Sequence, residues 1–260
     1  VAARWSDVPA SDGLVAGEWN GLAGLDVMLL GRAPSVAIRL GGLGDGSFED
    51  ARVLHDEPRG LVPGSVQRAD VNRDGFDDFL YLSTLTGNDE PRLSRLTTLV
   101  QSPLGFALRT LDFPGGAAAL TLSDLDGDGS LDALVAAGGA NHEPDAVGSI
   151  CVLPGSGDGT FARGLPATVI TGLSPRGLVV RSNGLSGREV AMWGVASGET
   201  AVARFDVSAL QALRPLRITT EPTEPAMIVP VMLQGVPQDA VWADLDDDGR
   251  EDLVLTSPAD

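Results

Sequence analysis

A nine-residue acidic pattern that returns along the chain constrains this protein more than any other feature. Three segments align without gaps: ADVNRDGFDDFLYL (69–82), SDLDGDGSLDALVA (123–136) and ADLDDDGREDLVLT (243–256). Counted from Asp70, Asp124 and Asp244, each has oxygen side chains at positions 1, 3, 5 and 9, Gly at position 6, and an apolar run directly after. Two more segments, EWNGLAGLDV (18–27) and RSNGLSGREV (181–190), share Asn-Gly-Leu-small-Gly and put Asp26 and Glu189 at position 9. They read as degenerate copies of the same unit. The five copies begin at 18, 70, 124, 181 and 244, hence at intervals of 52, 54, 57 and 63 residues. A period of this size implies one supersecondary unit that buries its faces only against its neighbours.

Within a period, a second mark recurs: GLGDGSFEDARV (42–53), SPLGFALRTL (102–111) and GSGDGTFARGL (155–165). Gly-Asp-Gly supplies the positive φ that tight hairpins require, and the following Phe opens a new strand. Two apolar runs, such as FLYLST and LTTLVQ, lie between acidic loop and turn. Each unit therefore reads as four short antiparallel strands. Frequent Gly (33) and Pro (17) with 5% aromatics fit many short strands joined by turns.

The formal charge of −18 argues against nucleic acid and anionic membrane surfaces, both of which need clustered Lys and Arg. No apolar run is long enough to span a membrane, and the opening VAARWSDVPA has no signal-peptide pattern. Cys151 is the sole cysteine, so no internal disulfide or CxxC zinc site exists; between Ile150 and Val152 it reads as a buried small apolar residue. No Ser/His/Asp set, nucleophile elbow, phosphate-cradling loop or redox pair is apparent. GLGDG at 42–46 lacks the βαβ context of a dinucleotide fingerprint.

The order D-x-[DN]-x-D-G-x-x-D, apolar strand, then G-D-G-[ST]-F resembles the FG-GAP/VCBS repeat, which forms blades of β-propellers in integrin α-chains and many bacterial surface or secreted proteins. The resemblance covers most of residues 16–257. It implies an all-β, five-bladed β-propeller of four-stranded antiparallel blades in a single domain over 1–260. It also implies an extracellular, cell-surface or periplasmic setting and a monomeric binding or adhesion module rather than an enzyme. A carbohydrate-binding lectin and a polysaccharide-processing enzyme are the alternatives. A lectin with one sugar site per blade should repeat its stacking aromatic, whereas Trp5, Trp19, Trp193 and Trp242 occupy non-equivalent positions.

Calcium takes six to eight oxygen ligands at roughly 2.3–2.6 Å, with a Gly letting the loop wrap tightly around it. The spacing points to three such sites: Asp70, Asn72, Asp74, Phe76 and Asp78; Asp124, Asp126, Asp128, Ser130 and Asp132; Asp244, Asp246, Asp248, Arg250 and Asp252. Phe76, Ser130 and Arg250 would contribute backbone carbonyls. An EF-hand would need Glu at position 12, where Tyr81, Val135 and Leu255 stand. Solvated acidic turns are the plainer reading, but three loops repeating four oxygen positions make chance a poor explanation. Without a cation, Asp78, Asp132 and Asp252 are expected to sit among clustered like charges. In the fourth copy Arg181 replaces the first carboxylate, and an Arg181–Glu189 ion pair is expected to do the cation's work. In the first, Glu18, Asn20 and Asp26 leave too few ligands for a site.

If the acidic loop joins strands 1 and 2 and the Gly-Asp-Gly turn joins 3 and 4, both lie at one end of each blade. The opposite end collects HDEPRGLVPG (55–64), TGNDEPRL (86–93), GGANHEPDAVG (138–148) and TTEPTEPAM (219–227). Each contains Glu-Pro, through Glu57, Glu90, Glu143, and Glu221 with Glu224. Soluble loop-tip composition explains this; the sharper expectation is an acidic rim that binds a cationic or metal-bridged protein or glycan partner. His55 and His142 read as exposed loop histidines. Residues 1–15 are expected to complete the blade begun by 240–257, closing the ring and removing its edge strands. Deleting residues 1–8 should then lower the melting temperature of the whole chain in a thermal melt, although no expected metal ligand is lost.

Overall fold

The computed structural model describes residues 11–19, 24–32, 35–85, 93–138, 147–162, 166–171, 173–182, 188–196, 199–206, 227–230, 237 and 239–256. Among them are eighteen β-strands and no helix. They form five antiparallel sheets, four of four strands and one of two, each running in sequence order without crossovers. None closes on itself. Two compact units divide the chain: Val1–Gly115 with Gly155–Arg163, and Gly116–Pro154 with Gly164–Asp260.

The first unit contains β1 (Ser11–Gly17), β2 (Asp26–Arg32), β3 (Ser35–Leu40) and β4 (Arg52–Asp56), followed by β5 (Leu61–Ala69), β6 (Asp78–Leu85), β7 (Leu93–Ser102) and β8 (Gly105–Pro114). Strand β6, DFLYLSTL, is buried on both faces through its first six residues, which explains why it is a continuous apolar run rather than an alternating one. The fourth strand, β8, has only one fully buried residue. The core between the two sheets joins Met28, Leu30 and Ala37 to Phe79, Tyr81 and Leu99, with Trp19 beside them. Phe79 and Tyr81 are tilted against each other with ring centroids 5.7 Å apart.

In the second unit are β9 (Gly116–Ser123), β10 (Asp132–Gly138), β11 (Val147–Leu153) and β12 (Pro166–Thr171). Then come β13 (Ser174–Ser182), β14 (Arg188–Ala196), β15 (Glu199–Asp206) and β16 (Met227–Pro230), and finally the hairpin β17 (Asp239–Ala243) and β18 (Asp252–Thr256). Strand β14 is sandwiched. Its Val190 and Met192 pack with Leu134, Ala136 and Ile150 of the preceding sheet. On its other face Ala191 and Trp193 pack with Trp242, Leu253 and Leu255 of the last hairpin. Cys151 is buried, and burial pushes its thiol pKa up, as expected of an inert core residue.

The Gly-Asp-Gly turns behave as the sequence implies. Gly44, Gly46, Gly157 and Gly159 all take positive φ, and Gly42 pairs with Phe48 as Gly155 does with Phe161. Asp45 and Asp158 each accept a hydrogen bond from the backbone N–H two residues on, at 2.9 Å. Hydroxyl and backbone bonds from Ser47 and Thr160 hold both carboxyls below the ordinary range. The connection at 55–64 differs from the expected long loop: His55 belongs to β4, β5 begins at Leu61, and only residues 57–60 lie between the strands.

Gly177 pairs with Trp193 across β13 and β14, and a Cβ at that position would come within 1.9 Å of the indole. The indole Nε1 donates to the Pro237 carbonyl at 3.0 Å, so the ring has little freedom to retreat. Gly177→Ala should cost roughly 1–3 kcal/mol through overpacking. A denaturant titration that leaves the midpoint unchanged would contradict this packing.

Candidate metal centres

The three acidic loops share one backbone conformation. Position 6, Gly75, Gly129 or Gly249, has φ of 87°, 85° and 81°. Position 4 is also left-handed in all three, at Arg73 (φ 62°), Gly127 (77°) and Asp247 (57°). The position-4 turn was not evident from sequence, because only one copy has Gly there.

The first and fifth acids hold this shape. The position-6 N–H donates to the position-1 carboxylate at 2.9, 3.1 and 2.9 Å, onto Asp70, Asp124 and Asp244. The position-7 N–H donates to the position-5 carboxylate at 2.9, 2.7 and 2.8 Å, onto Asp74, Asp128 and Asp248. Phe76, Ser130 and Arg250 are thus tied by their N–H groups. Asp124, Asp126 and Asp128 each bring a carboxylate oxygen within 4.8 Å of the others, and so do Asp244, Asp246 and Asp248. In the second loop, Asn72 is neutral and donates its side-chain amide to Asp74 at 2.9 Å, which relieves the like-charge contact there.

The ninth acid has a different task. Asp26, Asp78 and Asp132 are buried, and each accepts the position-2 backbone N–H, from Trp19 (2.9 Å), Val71 (2.9 Å) and Leu125 (3.0 Å). Asp252, more exposed, accepts from Leu245 at 3.3 Å. The second oxygen reaches the third strand or its end: Gly42 N–H donates to Asp26 and Gln101 N–H to Asp78, both at 2.7 Å. This carboxylate therefore staples the 1–2 loop to the 3–4 turn, placing both at the same end of the first two sheets. These hydrogen bonds offset part of the like-charge crowding expected around the ninth acids. Burial nonetheless pushes Asp78 up to about 6, against the Gln101 and Val71 hydrogen bonds and with help from the Asp74 and Asp70 charges.

The fourth copy makes the same tie with side chains. The strand pairing runs further here: position 1 itself, Arg181, pairs with Glu189 and Ser182 with Arg188, whereas in the other copies the residue before position 1 pairs with position 9. Arg181 donates to Glu189 through Nε at 3.0 Å and a terminal nitrogen at 2.6 Å. Arg204 on the third strand, β15, bonds the other oxygen. The expected Arg181–Glu189 pair is present, with a second arginine that the repeat alignment gave no reason to include.

Both degenerate copies also reach forward. Trp19 Nε1 donates to the carbonyl of Asp77 at 2.8 Å, and Arg181 donates to the carbonyl of Glu251 at 2.9 Å. Asp77 and Glu251 are each position 8 of the next acidic loop. Arg181 also lies 4.6 Å from the centroid of the Trp242 ring.

Of the expected acidic rim, Glu90, Glu143, Glu221 and Glu224 lie outside the described residues, as does His142. Glu57 does not point outward. Its side chain is fully buried, accepts a hydrogen bond from Thr97 at 3.2 Å, and lies 4.0 Å from Arg95 and 3.8 Å from His55. His55 is mostly buried rather than exposed. The Tyr81 hydroxyl lies against this group, and burial followed by the Glu57 charge raises its pKa. The short Glu57–Gly60 turn draws the acid inward, where Thr97 donates to one oxygen and the Arg95 guanidinium lies 4.0 Å from the other.

No protein-family model and no curated protein matches the chain. Among solved structures it is similar to a crystal structure of an ACO/RPE65 chimera, at 12% identity and a TM-score of 0.43, over 94% of this chain and 59% of that one.

Burial alone would raise the pKa of Glu189, but hydrogen bonds from Arg204 and Arg181 outweigh it and hold it below the ordinary 4.5. A depressed acid contributes its full stabilisation above its unfolded pKa and loses it as pH falls through the folded one. Glu189→Gln should therefore cost about 2 kcal/mol at neutral pH. Its deficit against the parent, read from urea melts, should shrink below pH 4.5 and stay the same with or without chelator.

Proposed function

We propose that the chain is a calcium-stabilised β-propeller that serves as a non-catalytic binding module of an exported protein. The supporting observation is the repeated convergence of three carboxylates at positions 1, 3 and 5 of loops with one backbone conformation. Three like charges held within 4.8 Å repel one another in a low-salt solvent, and a divalent cation converts that cost into attraction. Ser130 and Arg250 offer the next carbonyl in each loop, while Asp132 and Asp252 lie on the strand that follows. The second loop, with Asn72, is the weaker third site.

Several further features support the reading. The residue spacing resembles the FG-GAP/VCBS repeat, and meandering four-stranded sheets in sequence order are what propeller blades require. Exposed loops of this charge count fill at the high free calcium found outside cells, which favours an extracellular or periplasmic setting. Residues 11–15, expected to complete the blade begun by 240–257, instead pair with β2 in the first sheet, so closure of the ring is proposed only for residues 1–10, which lie outside the described residues; a partner at the end opposite the acidic loops belongs to the same proposal.

Calorimetric titration of the chelator-treated chain with Ca²⁺ should show saturable binding, with the melting temperature rising as the sites fill. Occupancy at about 100 times Kd contributes about 2.7 kcal/mol per site. Asp126→Asn and Asp246→Asn, which reproduce the Asn72 arrangement, should each weaken one site and leave the others unchanged. Absence of binding heat together with an unchanged melting temperature would sink the calcium assignment.

A further inference from the structure

Within the first unit a cleft of about 660 Å³ opens between the end of the first sheet and the second acidic loop. Its volume lies within the range of sites that hold a small molecule or a short peptide segment. Arg39 and Arg52, paired across β3 and β4, line it from the first sheet, and Gln101, Leu104 and Phe106 line it from the second, with Phe76 of the acidic loop. The apolar part is open to solvent: Leu104 is 100% exposed, Val53 53% and Phe76 41%. All three are exposed large hydrophobic residues that line the cleft.

The polar part is incomplete. Gln101 is 7% exposed, and its Oε1 is buried without a hydrogen-bond partner. Arg39 uses its terminal nitrogens on the Trp19 carbonyl at 3.2 Å and on Glu49 at 3.3 Å, while its buried Nε has no partner. The floor thus presents one unfilled acceptor and one unfilled donor. A buried polar group without a partner costs about 1–3 kcal/mol, which a complementary ligand recovers. Arg52, exposed, adds a cation, so the lining carries two arginines against Glu49 in a chain whose formal charge is −18.

We propose that this cleft binds an extended peptide segment carrying an acidic side chain beside a large apolar one. A peptide unit supplies the two missing partners at once, its N–H for Gln101 Oε1 and its C=O for Arg39 Nε. The acidic side chain pairs with Arg52, and the apolar one covers Phe76 and Leu104. This goes beyond the proposed calcium role and adds, at the acidic-loop end, a site separate from the one proposed for the opposite end. Calcium enters only through Phe76, which belongs to the second loop.

The test is to pan the immobilised full chain against a random dodecapeptide phage library in millimolar Ca²⁺, then measure the enriched peptide by fluorescence anisotropy. Peptides pairing Asp or Glu with Phe, Leu or Trp should be enriched. Arg52→Glu and Leu104→Asp, both at exposed positions, should each weaken binding at least about tenfold without lowering the melting temperature. No enriched motif, a motif without an acid, or binding indifferent to both variants would overturn the peptide site. Competition by oligogalacturonate with no peptide enriched would overturn it in favour of an acidic glycan. Binding that persists unchanged in EGTA would support the cleft, while calorimetric titration separately decides the calcium assignment.

Discussion

A buried carboxylate accepting backbone N–H groups from two directions organises the first two repeats of this chain, and variants of the same tie recur in the others. At position 9 the acid begins the second strand, so its side chain reaches both the loop it has just left and the end of the third strand. Asp26 and Asp78 show the full arrangement, with Trp19 and Gly42 on one and Val71 and Gln101 on the other. An ionised acceptor makes stronger hydrogen bonds than a neutral one, and burial sharpens them further. The same residues seat an apolar side chain at position 2, which is why Trp19, Val71 and Leu125 are all in the core. Loop, turn and core are therefore coupled through one side chain.

Where the repeat has lost its acids, the connection survives in other chemistry. Glu189 is one methylene longer than aspartate and receives guanidinium groups from β13 and β15 in place of backbone N–H groups. That exchange removes an acidic loop and gains a lateral tie, since Arg181 continues to the Glu251 carbonyl and the Trp242 ring. Trp19 in the first copy makes the matching reach to Asp77. The degenerate copies act as buttresses for the acidic loops that follow them.

Much of this was legible in the residues. The interval between acidic loops, the Gly-Asp-Gly turns and the apolar runs between them specify the four-stranded meander, because each is a local requirement of backbone geometry. The Arg181–Glu189 pair was also legible, since two positions that carry like charge in other copies carry opposite charge here. What stayed hidden depends on partners distant in sequence. Arg204 joins Glu189 only through strand pairing, and Glu57 turns inward because β4 runs on through His55. The backbone tie made by the ninth acid was hidden for a related reason: its donors are N–H groups, which no residue type announces.

The shared shape of the acidic loops has a thermodynamic side. Their left-handed turns at positions 4 and 6 are already closed by hydrogen bonds from loop N–H groups to the first and fifth carboxylates. On the calcium proposal, a cation would find little chain left to order, unlike a metal that must fold its own site. Affinity is then set by the balance between dehydrating the ion and relieving carboxylate repulsion. Such a loop would respond to ion concentration as a graded load on a prebuilt frame, and each repeat would fill by its own charge count without waiting for the others.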